Sequence, residues 1–406
     1  MTPQEPAFEP YNFELQFARA EAYERESGRR LVRLSDWNCS LGDALLPRSL
    51  IANSIRASLA YVTEYADTSR LLATCEVVES NLKETYGADL ETAKVHLFGN
   101  ATQAIFGVVY ALVNTVKDPV GLVLHPSYYC LQDSAELCRL PLVETWRRAA
   151  DGFRIDTDYL RSVRRRHKYN VLFVTDPVYS VGLRARDDEI RDLVAFCSAF
   201  GIWLVIDIAL SGLFWQTSAN AWMDLDRLNL SRYERCVLVD SPSKRLFTNN
   251  IKIGVVLANP ELSDRMAECS DWHLGNLAGL QLEFARRVFS QEHKAEIETA
   301  CRTNAERAYR HFQVVSSLLK ASPLVSTTRP DSGFHLMLWQ QGSQAQAIDA
   351  MGVCHRLAIE DGVLVIPTND FFFSRDDEWG VRLNLMRDPS HWMANVDRFR
   401  EFGLLR

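Results

Sequence analysis

The 406-residue sequence lacks features that would mark several classes of protein. No apolar run reaches the roughly 18 residues that a membrane-spanning helix needs. The N-terminal segment MTPQEPAFEPYNFELQ has neither a basic start nor an apolar stretch, so we do not expect a secretory signal. Positive charge is not in excess either: the net charge of −7 argues against nucleic acid or an anionic membrane as the main partner.

Cysteines and histidines at metal-binding spacing are also lacking. The nine cysteines are scattered, with no C-x-x-C pair, and the nine histidines include no H-E-x-x-H. We therefore expect reduced thiols, no metal site and a cytoplasmic protein. No repeat or low-complexity linker separates one part of the chain from another, which favours interwoven domains.

Short apolar runs rich in Val, Ile and Leu recur between residues 95 and 260. Helix-like spacing at 101–115 and 187–200 separates some of these runs. Strands that are apolar on both faces and alternate with helices predict an α/β fold with a mostly parallel sheet, in which the last run is a candidate antiparallel strand. The runs are VHLF (95–98), GLVLHP (121–126), NVLFVTDP (170–177), WLVIDIA (203–209), CVLVDSP (236–242) and GVVLANP (254–260).

The rest of the chain predicts a second, smaller α+β domain. Residues 12–30 suggest a polar helix and residues 276–320 a long helical stretch, and a final helix is expected at 391–402. A second sheet is expected from FHLMLW (334–339), VLVIPT (363–368) and VRLNLM (381–386). We assign 48–285 to the large domain. The arm 1–47 and residues 286–406 form the small one.

Polar residues follow the apolar runs, at the carboxyl ends of the predicted strands. An open α/β sheet binds its ligands at these ends. After the first run, Asn100 is expected to turn the chain in the left-handed conformation, so that Ala101 and Thr102 present backbone N–H groups at a helix start. Such a turn is a phosphate cradle, and an ordinary helix cap is the alternative interpretation.

Three further strand ends carry candidate site residues. Tyr128 would place a ring over the site, or simply pack. Asp207 lies in an apolar run, where a carboxylate needs a cation or several donors, although a helix cap would also explain it. Lys244 follows a strand and two serines, and a partly desolvated lysine is a nucleophile toward carbonyls; a surface lysine is the alternative. A phosphate cradle, an aromatic plate, an acid and a lysine on successive strands are what pyridoxal 5′-phosphate requires.

With these residues in place, the sequence resembles the fold-type I pyridoxal-phosphate enzymes of the class I/II aminotransferase family, from about Trp37 to the C-terminus. S-P-S-K at 241–244, followed by Lys252 and Gly254, is similar to the family pattern S-x-x-K then G-x-R-x-G. The resemblance implies a seven-stranded large-domain sheet. It also implies that Lys244 binds the coenzyme covalently, that Ser241 and Lys252 hold its phosphate, that the carboxylate of Asp207 keeps its ring nitrogen protonated and that Tyr128 stacks on it.

The resemblance also predicts how the substrate is bound. Arg382 would match the arginine that grips the α-carboxylate of an amino acid, and we expect Trp37 and Asn38 to bind substrate too. Tyr65 would match a tyrosine that reaches the phosphate of a neighbouring subunit. A homodimer with shared active sites is therefore expected.

The chain departs from the family at the ring oxygen of the coenzyme. Where the family has N-P-x-N-P-T-G, this chain has Asp176-Pro177-Val178-Tyr179-Ser180-Val181-Gly182, so Asp176 and Tyr179 replace asparagines. Leu210 stands where the family has a tyrosine, and Lys252 replaces an arginine. We hypothesise that the phenol of Tyr179 replaces the one missing at 210, which makes Tyr179 a candidate catalytic residue.

Three functions are compatible with these residues. The first is an aminotransferase for an α-amino acid. The second is a related enzyme of specialised amino-acid metabolism that eliminates, replaces, cyclises or oxidises, because the bond that breaks depends on its alignment with the coenzyme ring. The third, a sensor domain of a transcription regulator, would need a basic DNA-binding module that the sequence does not show.

Overall fold

The computed structural model describes residues 12–35, 37–39, 44–64, 68–86, 93–215, 233–319, 329–340, 350–368 and 379–387. Its helices are α1 (Asn12–Ser27), α2 (Arg48–Ser58), α3 (Thr68–Tyr86), α4 (Ala101–Thr115), α5 (Cys130–Leu137), α6 (Thr157–His167), α7 (Asp187–Phe200), α8 (Pro242–Arg245), α9 (Ser263–Glu268), α10 (Gly279–Val288), α11 (Lys294–Leu319) and α12 (Ala350–Asp361). Its strands are β1 (Val32–Arg33), β2 (Lys94–Phe98), β3 (Gly121–His125), β4 (Leu142–Trp146), β5 (Val171–Thr175), β6 (Trp203–Asp207), β7 (Cys236–Asp240), β8 (Gly254–Ala258), β9 (His335–Gln340), β10 (Val363–Leu364), β11 (Ile366–Pro367) and β12 (Trp379–Asn384).

The large sheet has seven strands in the order β2-β8-β7-β6-β5-β3-β4. Neighbouring strands in the series β4, β3, β5, β6 and β7 pair in parallel. Strand β8 is antiparallel to both of its neighbours, β7 and β2. The predicted fold class is confirmed, and so is the antiparallel direction of the run at 254–260. This arrangement places the carboxyl ends of the parallel strands on one edge, where the candidate site residues follow them.

Strand β4 is the one member of this sheet that the apolar runs missed. Its sequence, LVETW, contains a glutamate and a threonine, and three of its five residues are half-buried. Within the part of the chain that the structure describes, it lies at the edge of the sheet and pairs with β3 alone. An edge strand is covered less fully than a central strand, so it does not need a continuous apolar sequence.

Side-chain alternation explains why the central strands read as continuous apolar runs. Leu172 and Val174 of β5 belong to one buried cluster with residues of α7, whereas Val171 and Phe173 belong to another with residues of α4. Successive side chains of a strand point to opposite faces, so both faces of the sheet are packed. The predicted helices at 101–115 and 187–200 are confirmed as α4 and α7, and α1 confirms most of the helix expected at 12–30.

Two of the predicted elements were wrong in detail. The helical stretch expected at 276–320 consists of two helices, α10 and α11, because α10 ends at Val288 and a separate turn at Gln291–His293 precedes α11. The run VLVIPT is also divided. Its first half, β10, pairs in parallel with β1, and its second half, β11, pairs with β12.

The second sheet is confirmed as the three antiparallel strands β11-β12-β9. Contacts between Cα atoms group the chain into two compact units: one comprises 1–37, 311–326 and 335–406, and the other 38–310 and 327–334. The domain boundaries at 47 and 285 stay a prediction. The helix expected at 391–402 lies outside the described residues. No described helix combines the length and apolar character that crossing a membrane requires.

Candidate active site

A cavity lies at the carboxyl ends of β3, β5 and β6. Asp207 and Tyr128, two of the predicted site residues, line it, together with Ser127 and Thr175. Its other lining residues are apolar: Ile105, Val108, Leu131, Phe173, Val174, Val205 and Val239.

Asp207 is the last residue of β6, and its carboxylate is held in an apolar environment. Its Oδ1 accepts the backbone N–H of Ala209 at 2.9 Å. The pKa of Asp207 is raised to about 6: burial and the charge of Asp240 raise it, while the Ala209 N–H and the charge of Lys244 oppose the rise. Asp207 and Lys244 therefore interact electrostatically across the ends of β6 and β7. A buried acid of this kind gains from a cationic partner.

Lys244 belongs to the short helix α8, which follows β7 and is anchored by buried polar contacts. Arg245, the next residue, makes a bidentate ion pair with Asp240, with N–O distances of 2.7 and 2.9 Å, and both side chains are almost fully buried. The carboxylate of Asp240 also accepts the N–H of Ser241 at 2.7 Å. The pair closes the turn that carries Lys244, and sequence analysis did not identify it.

Asn100 caps helix α4, but its predicted backbone conformation was wrong. Its φ of −171° and ψ of 173° are extended rather than left-handed, because Asn100 is the N-cap and its side-chain oxygen accepts the N–H of Gln103 at 2.9 Å. The N–H groups of Ala101 and Thr102 remain at the helix start, where no preceding turn offers them a carbonyl. The cradle geometry therefore arises from a capped helix rather than from a tight turn.

Close backbone approach brings β8 to this cradle. A Cβ added to Gly254 would lie 2.3 Å from the carbonyl oxygen of Asn100, so only glycine fits there. The side-chain amide of Gln281 donates to the carbonyls of Gly99 at 2.9 Å and Lys252 at 3.1 Å, which joins the two segments. Lys252 is exposed. Gly254 and Gln281 thus bring the backbone of Lys252 beside the cradle.

Ser241 is buried and already has a hydrogen-bond acceptor. Its hydroxyl donates to the carbonyl of Ile253 at 2.9 Å. Ser243 donates to the carbonyl of Ile251 and accepts the N–H of Ile253. The two serines therefore attach the lysine turn to the segment before β8. To donate to a phosphate, the hydroxyl of Ser241 would have to rotate away from Ile253.

Tyr128 and Tyr179 are neighbours at the cavity. Their ring centroids are 5.5 Å apart with the planes tilted by 41°, and the hydroxyl of Tyr128 lies 3.2 Å from that of Thr102 at the start of α4. Burial raises the pKa of Tyr128 above its usual value. Cys130 also belongs to this group, since its thiol interacts electrostatically with Asp207 and Lys244. Sequence analysis missed Cys130 because an isolated cysteine carries no motif.

Asp176 is buried after β5 and closes a loop. Its Oδ1 accepts the N–H of Ala185 at 2.7 Å. Burial raises the pKa of Asp176 to about 6, while Ala185, Arg184 and Arg147 oppose this rise. Arg147, which sequence analysis missed, is 4 % exposed and donates to the carbonyl of Thr175 at 3.1 Å. Asp176 is thus oriented toward its own loop and these arginines.

The predicted substrate residues belong mostly to the other compact unit. Arg382 of β12 is buried, and its Nε and Nη2 donate to the carbonyl of Ser35 at 3.2 and 2.6 Å. Its guanidinium lies 4.8 Å from the ring centroid of Trp37, which in turn contacts His335 edge-on at 4.4 Å. Asn38 is exposed in the larger unit. Tyr65 lies outside the described residues.

Comparison with known proteins identifies the class of enzyme to which this geometry belongs. The family model for aminotransferase class I and II matches residues 38–390. The chain therefore belongs to the class I and II aminotransferase family. Members of this family use pyridoxal phosphate, and the protein is accordingly a pyridoxal-phosphate-dependent enzyme of the transferase type.

Solved structures share the fold. An aspartate aminotransferase double mutant from Thermus thermophilus superposes with a TM-score of 0.82 at 19 % identity, covering 98 % of this chain and 97 % of that one. An aromatic aminotransferase from Pyrococcus horikoshii gives a TM-score of 0.76 at 17 % identity, covering 95 % of this chain and 100 % of that one. The predicted family and fold are confirmed.

Curated relatives match a part of the chain. Methionine S-methyltransferase from Hordeum vulgare is 24 % identical over 155 residues, which is 37 % of this chain and 14 % of that protein. The same enzyme from Zea mays is 25 % identical over 145 residues, or 34 % of this chain and 13 % of that protein. The chain thus corresponds to a small fraction of the length of these relatives.

The described residues fit pyridoxal phosphate at both of its ends. The helix start capped by Asn100 presents backbone N–H groups that suit a phosphate, and the close approach of Gly254 to Asn100 holds this turn against β8. At the other end, the buried carboxylate of Asp207 offers an anion to a protonated ring nitrogen. The cavity that Asp207 and Tyr128 line has mostly apolar walls, which suit an aromatic ring.

Proposed function

We propose that the protein is an aminotransferase for an α-amino acid, with Lys244 and Asp207 as its central catalytic residues. The observation that carries the proposal is the buried carboxylate of Asp207, which lines the cavity at the end of β6 and interacts electrostatically with Lys244. The pKa of Asp207 is raised to about 6, chiefly by burial, and carboxylates perturbed in this way cluster at active sites.

The chain's residues would hold the coenzyme as follows. Lys244 would bind its aldehyde carbon covalently, Asp207 its ring nitrogen and Tyr128 its ring face. The N–H groups of Ala101 and Thr102, with the charge of Lys252, would hold its phosphate. We propose Asn100, Ser241 and Asp176 as residues that shape these contacts, because each one already makes a local hydrogen bond.

Once bound, pyridoxal phosphate supplies a ring that accepts electrons from the Cα of the substrate. Asp207 would keep the ring nitrogen protonated through a charge-assisted hydrogen bond, which contributes about 1.5–3 kcal/mol. The amine of Lys244, when released, would take the Cα proton and return it. We propose that Arg382 binds the α-carboxylate, with Trp37 packed on its guanidinium and Asn38 as a further substrate contact.

The experiment for this proposal is reduction of the protein with borohydride after incubation with pyridoxal phosphate. Mass spectrometry should find the reduced coenzyme on the peptide that contains Lys244. K244A should carry no label, whereas the matched variant K252A should still be labelled, with a weaker apparent affinity. Labelling of K244A to the wild-type level would contradict the proposal.

Elimination, replacement, cyclisation or oxidation is a second candidate function, and the surroundings of Tyr179 favour it. Tyr179 is buried beside Tyr128, and Leu210 is buried where the family has a tyrosine. We propose that the phenol of Tyr179 contacts the ring oxygen of the coenzyme. Single turnover of an amino-acid panel without a keto-acid acceptor separates the two functions: the amine form of the coenzyme accumulates in a transaminase. Y179F should shift the pH titration of the coenzyme absorbance, and an unchanged titration would exclude this role.

We further propose a homodimer in which Tyr65 reaches the neighbouring subunit. Leu59 and Val62, which lie close before Tyr65 in the chain, are 63 % and 77 % exposed. Exposed apolar side chains so close together are typical of a protein interface. Sedimentation of the wild type should give twice the chain mass, and V62D should weaken the dimer. A monomeric wild type would contradict this part of the proposal.

A further inference from the structure

Beside the cavity lies a group of buried polar residues to which no role has been given so far. His125, the last residue of β3, is fully buried. Ser127, two residues further along the chain, lines the cavity. Gln132 of α5 and Glu144 of β4 complete the group, and Glu144 lies at the partly exposed end. These residues therefore connect the cavity wall with the protein surface.

The distances define a continuous chain of contacts. Ser127 Oγ lies 3.1 Å from His125 Nδ1, and the side-chain nitrogen of Gln132 lies 3.2 Å from His125 Nε2. The same nitrogen lies 3.3 Å from an oxygen of Glu144. Glu144 itself is 3.6 Å from His125 Nε2, which is too long for a hydrogen bond. Gln132 is thus the link between the carboxylate and the imidazole.

The carboxylate decides the orientation of the Gln132 amide. An ionised carboxylate only accepts hydrogen bonds, so it requires the amide nitrogen, rather than the amide oxygen, to face it. This nitrogen also faces His125 Nε2, which must then be an acceptor. A neutral imidazole whose Nε2 accepts carries its hydrogen on Nδ1.

Burial keeps the ring neutral. It lowers the pKa of His125 below its usual value, Arg147 lowers it further, and Glu144 opposes this effect. Among the described residues, Ser127, Gln132 and Glu144 face the ring, and Trp146 stacks on it at a centroid distance of 4.9 Å. Glu144 favours the imidazolium, but burial and Arg147 outweigh it and lower the pKa of His125.

We propose that Glu144 and Gln132 hold His125 in the Nδ1–H tautomer, which donates to Ser127 Oγ and leaves the hydroxyl hydrogen of Ser127 to be donated into the cavity. Ser127 then acts as a hydrogen-bond donor to an oxygen of the bound coenzyme, which rests on the proposed function. His125, Gln132 and Glu144 are positioning residues in this scheme. An Nε2–H tautomer would reverse the direction of the hydrogen bond between His125 and Ser127, because the hydroxyl hydrogen of Ser127 would then point to Nδ1 and not into the cavity.

The tautomer can be measured without any ligand. Long-range ¹H–¹⁵N correlation spectra of the full chain labelled with ¹⁵N-histidine distinguish Nδ1–H, Nε2–H and imidazolium rings, and H125N identifies the signal. We expect the Nδ1–H pattern at pH 7. In Q132E the new carboxylate accepts from Nε2, so the signal should change to the Nε2–H or imidazolium pattern. An Nε2–H pattern in the wild type would overturn the proposal.

The effect on the cavity is measured by titration with pyridoxal phosphate, followed by absorbance. Loss of a hydrogen bond to a charged acceptor weakens binding by about tenfold to a hundredfold, and we expect this for S127A and Q132E. S127T keeps the hydroxyl and should bind more tightly than S127A, and S198A, which lies on the exposed part of α7, should bind like the wild type. If the wild type binds and S127A binds equally well, this inference fails while the proposed function stands. A wild type that does not bind contradicts the proposed function, and the tautomer measurement still decides the orientation of His125.

Discussion

Replacing Asp176 with asparagine should change how the free energy of unfolding depends on pH. The carboxyl of Asp176 is 4 % exposed, and burial raises its pKa from 3.8 to about 6. Asparagine keeps the side-chain oxygen that accepts the N–H of Ala185. It has nearly the same shape, so the substitution removes the charge and little else.

The sign and the magnitude follow from proton linkage. An acid whose pKa is raised on folding contributes stability below its unfolded pKa and loses this contribution as the pH rises through the folded value. The wild type should therefore lose stability between about pH 4 and pH 6 relative to D176N. A shift of roughly two pKa units corresponds to ~3 kcal/mol. The difference in free energy of unfolding between D176N and the wild type should therefore shift by about that much in favour of D176N from pH 4 to pH 8. This shift does not depend on which protein is more stable at pH 4.

The assay is urea unfolding of both proteins in the coenzyme-free state at several pH values, followed by circular dichroism. D192N is the matched control. Asp192 is exposed on α7, so removing its charge should leave the pH dependence of the free energy of unfolding unchanged. A stability difference between D176N and the wild type that stays constant from pH 4 to pH 8 would refute the reasoning. It would mean that Arg147 and Arg184 compensate fully for the burial of the carboxylate.

Three further predictions concern the turns around the site. R245M should destabilise the protein by about 3–5 kcal/mol, since it leaves the buried Asp240 unpaired, and D240N/R245M should recover part of this loss in denaturant unfolding. G254A should weaken binding of pyridoxal phosphate by more than about tenfold, because its Cβ would meet the carbonyl of Asn100 at 2.3 Å, whereas G279A, whose nearest neighbour is 3.9 Å away, should bind normally. N100A should lower the free energy of unfolding by about 1 kcal/mol through loss of the helix cap, and N100S should restore most of it. Equal stability of N100A and N100S would show that the cap contributes nothing.

Much of the fold could be predicted because the large sheet is buried on both faces. Strands β5 and β6 read as apolar runs, and α4 and α7 show helical spacing, so local pattern and tertiary position agree. Strand β4 could not be found in this way because an edge strand tolerates polar residues. The division of VLVIPT between two sheets depends on which strands lie beside it, namely β1 and β12, and these are distant in sequence.

The candidate site, like the fold, could be predicted from the sequence only in part. Asp207, Lys244 and the cradle at Asn100 were visible in the sequence because polar residues directly after apolar strands lie together at one edge of a parallel sheet. The sequence by itself thus determined the family and the order of the candidate site residues along the strands. Only the tertiary structure decided that Asp240 pairs with Arg245, and that Gln132 and Glu144 meet His125. These contacts join residues from different elements or opposite ends of a turn, and the orientation of a hydrogen bond depends on the partner that folding places beside it.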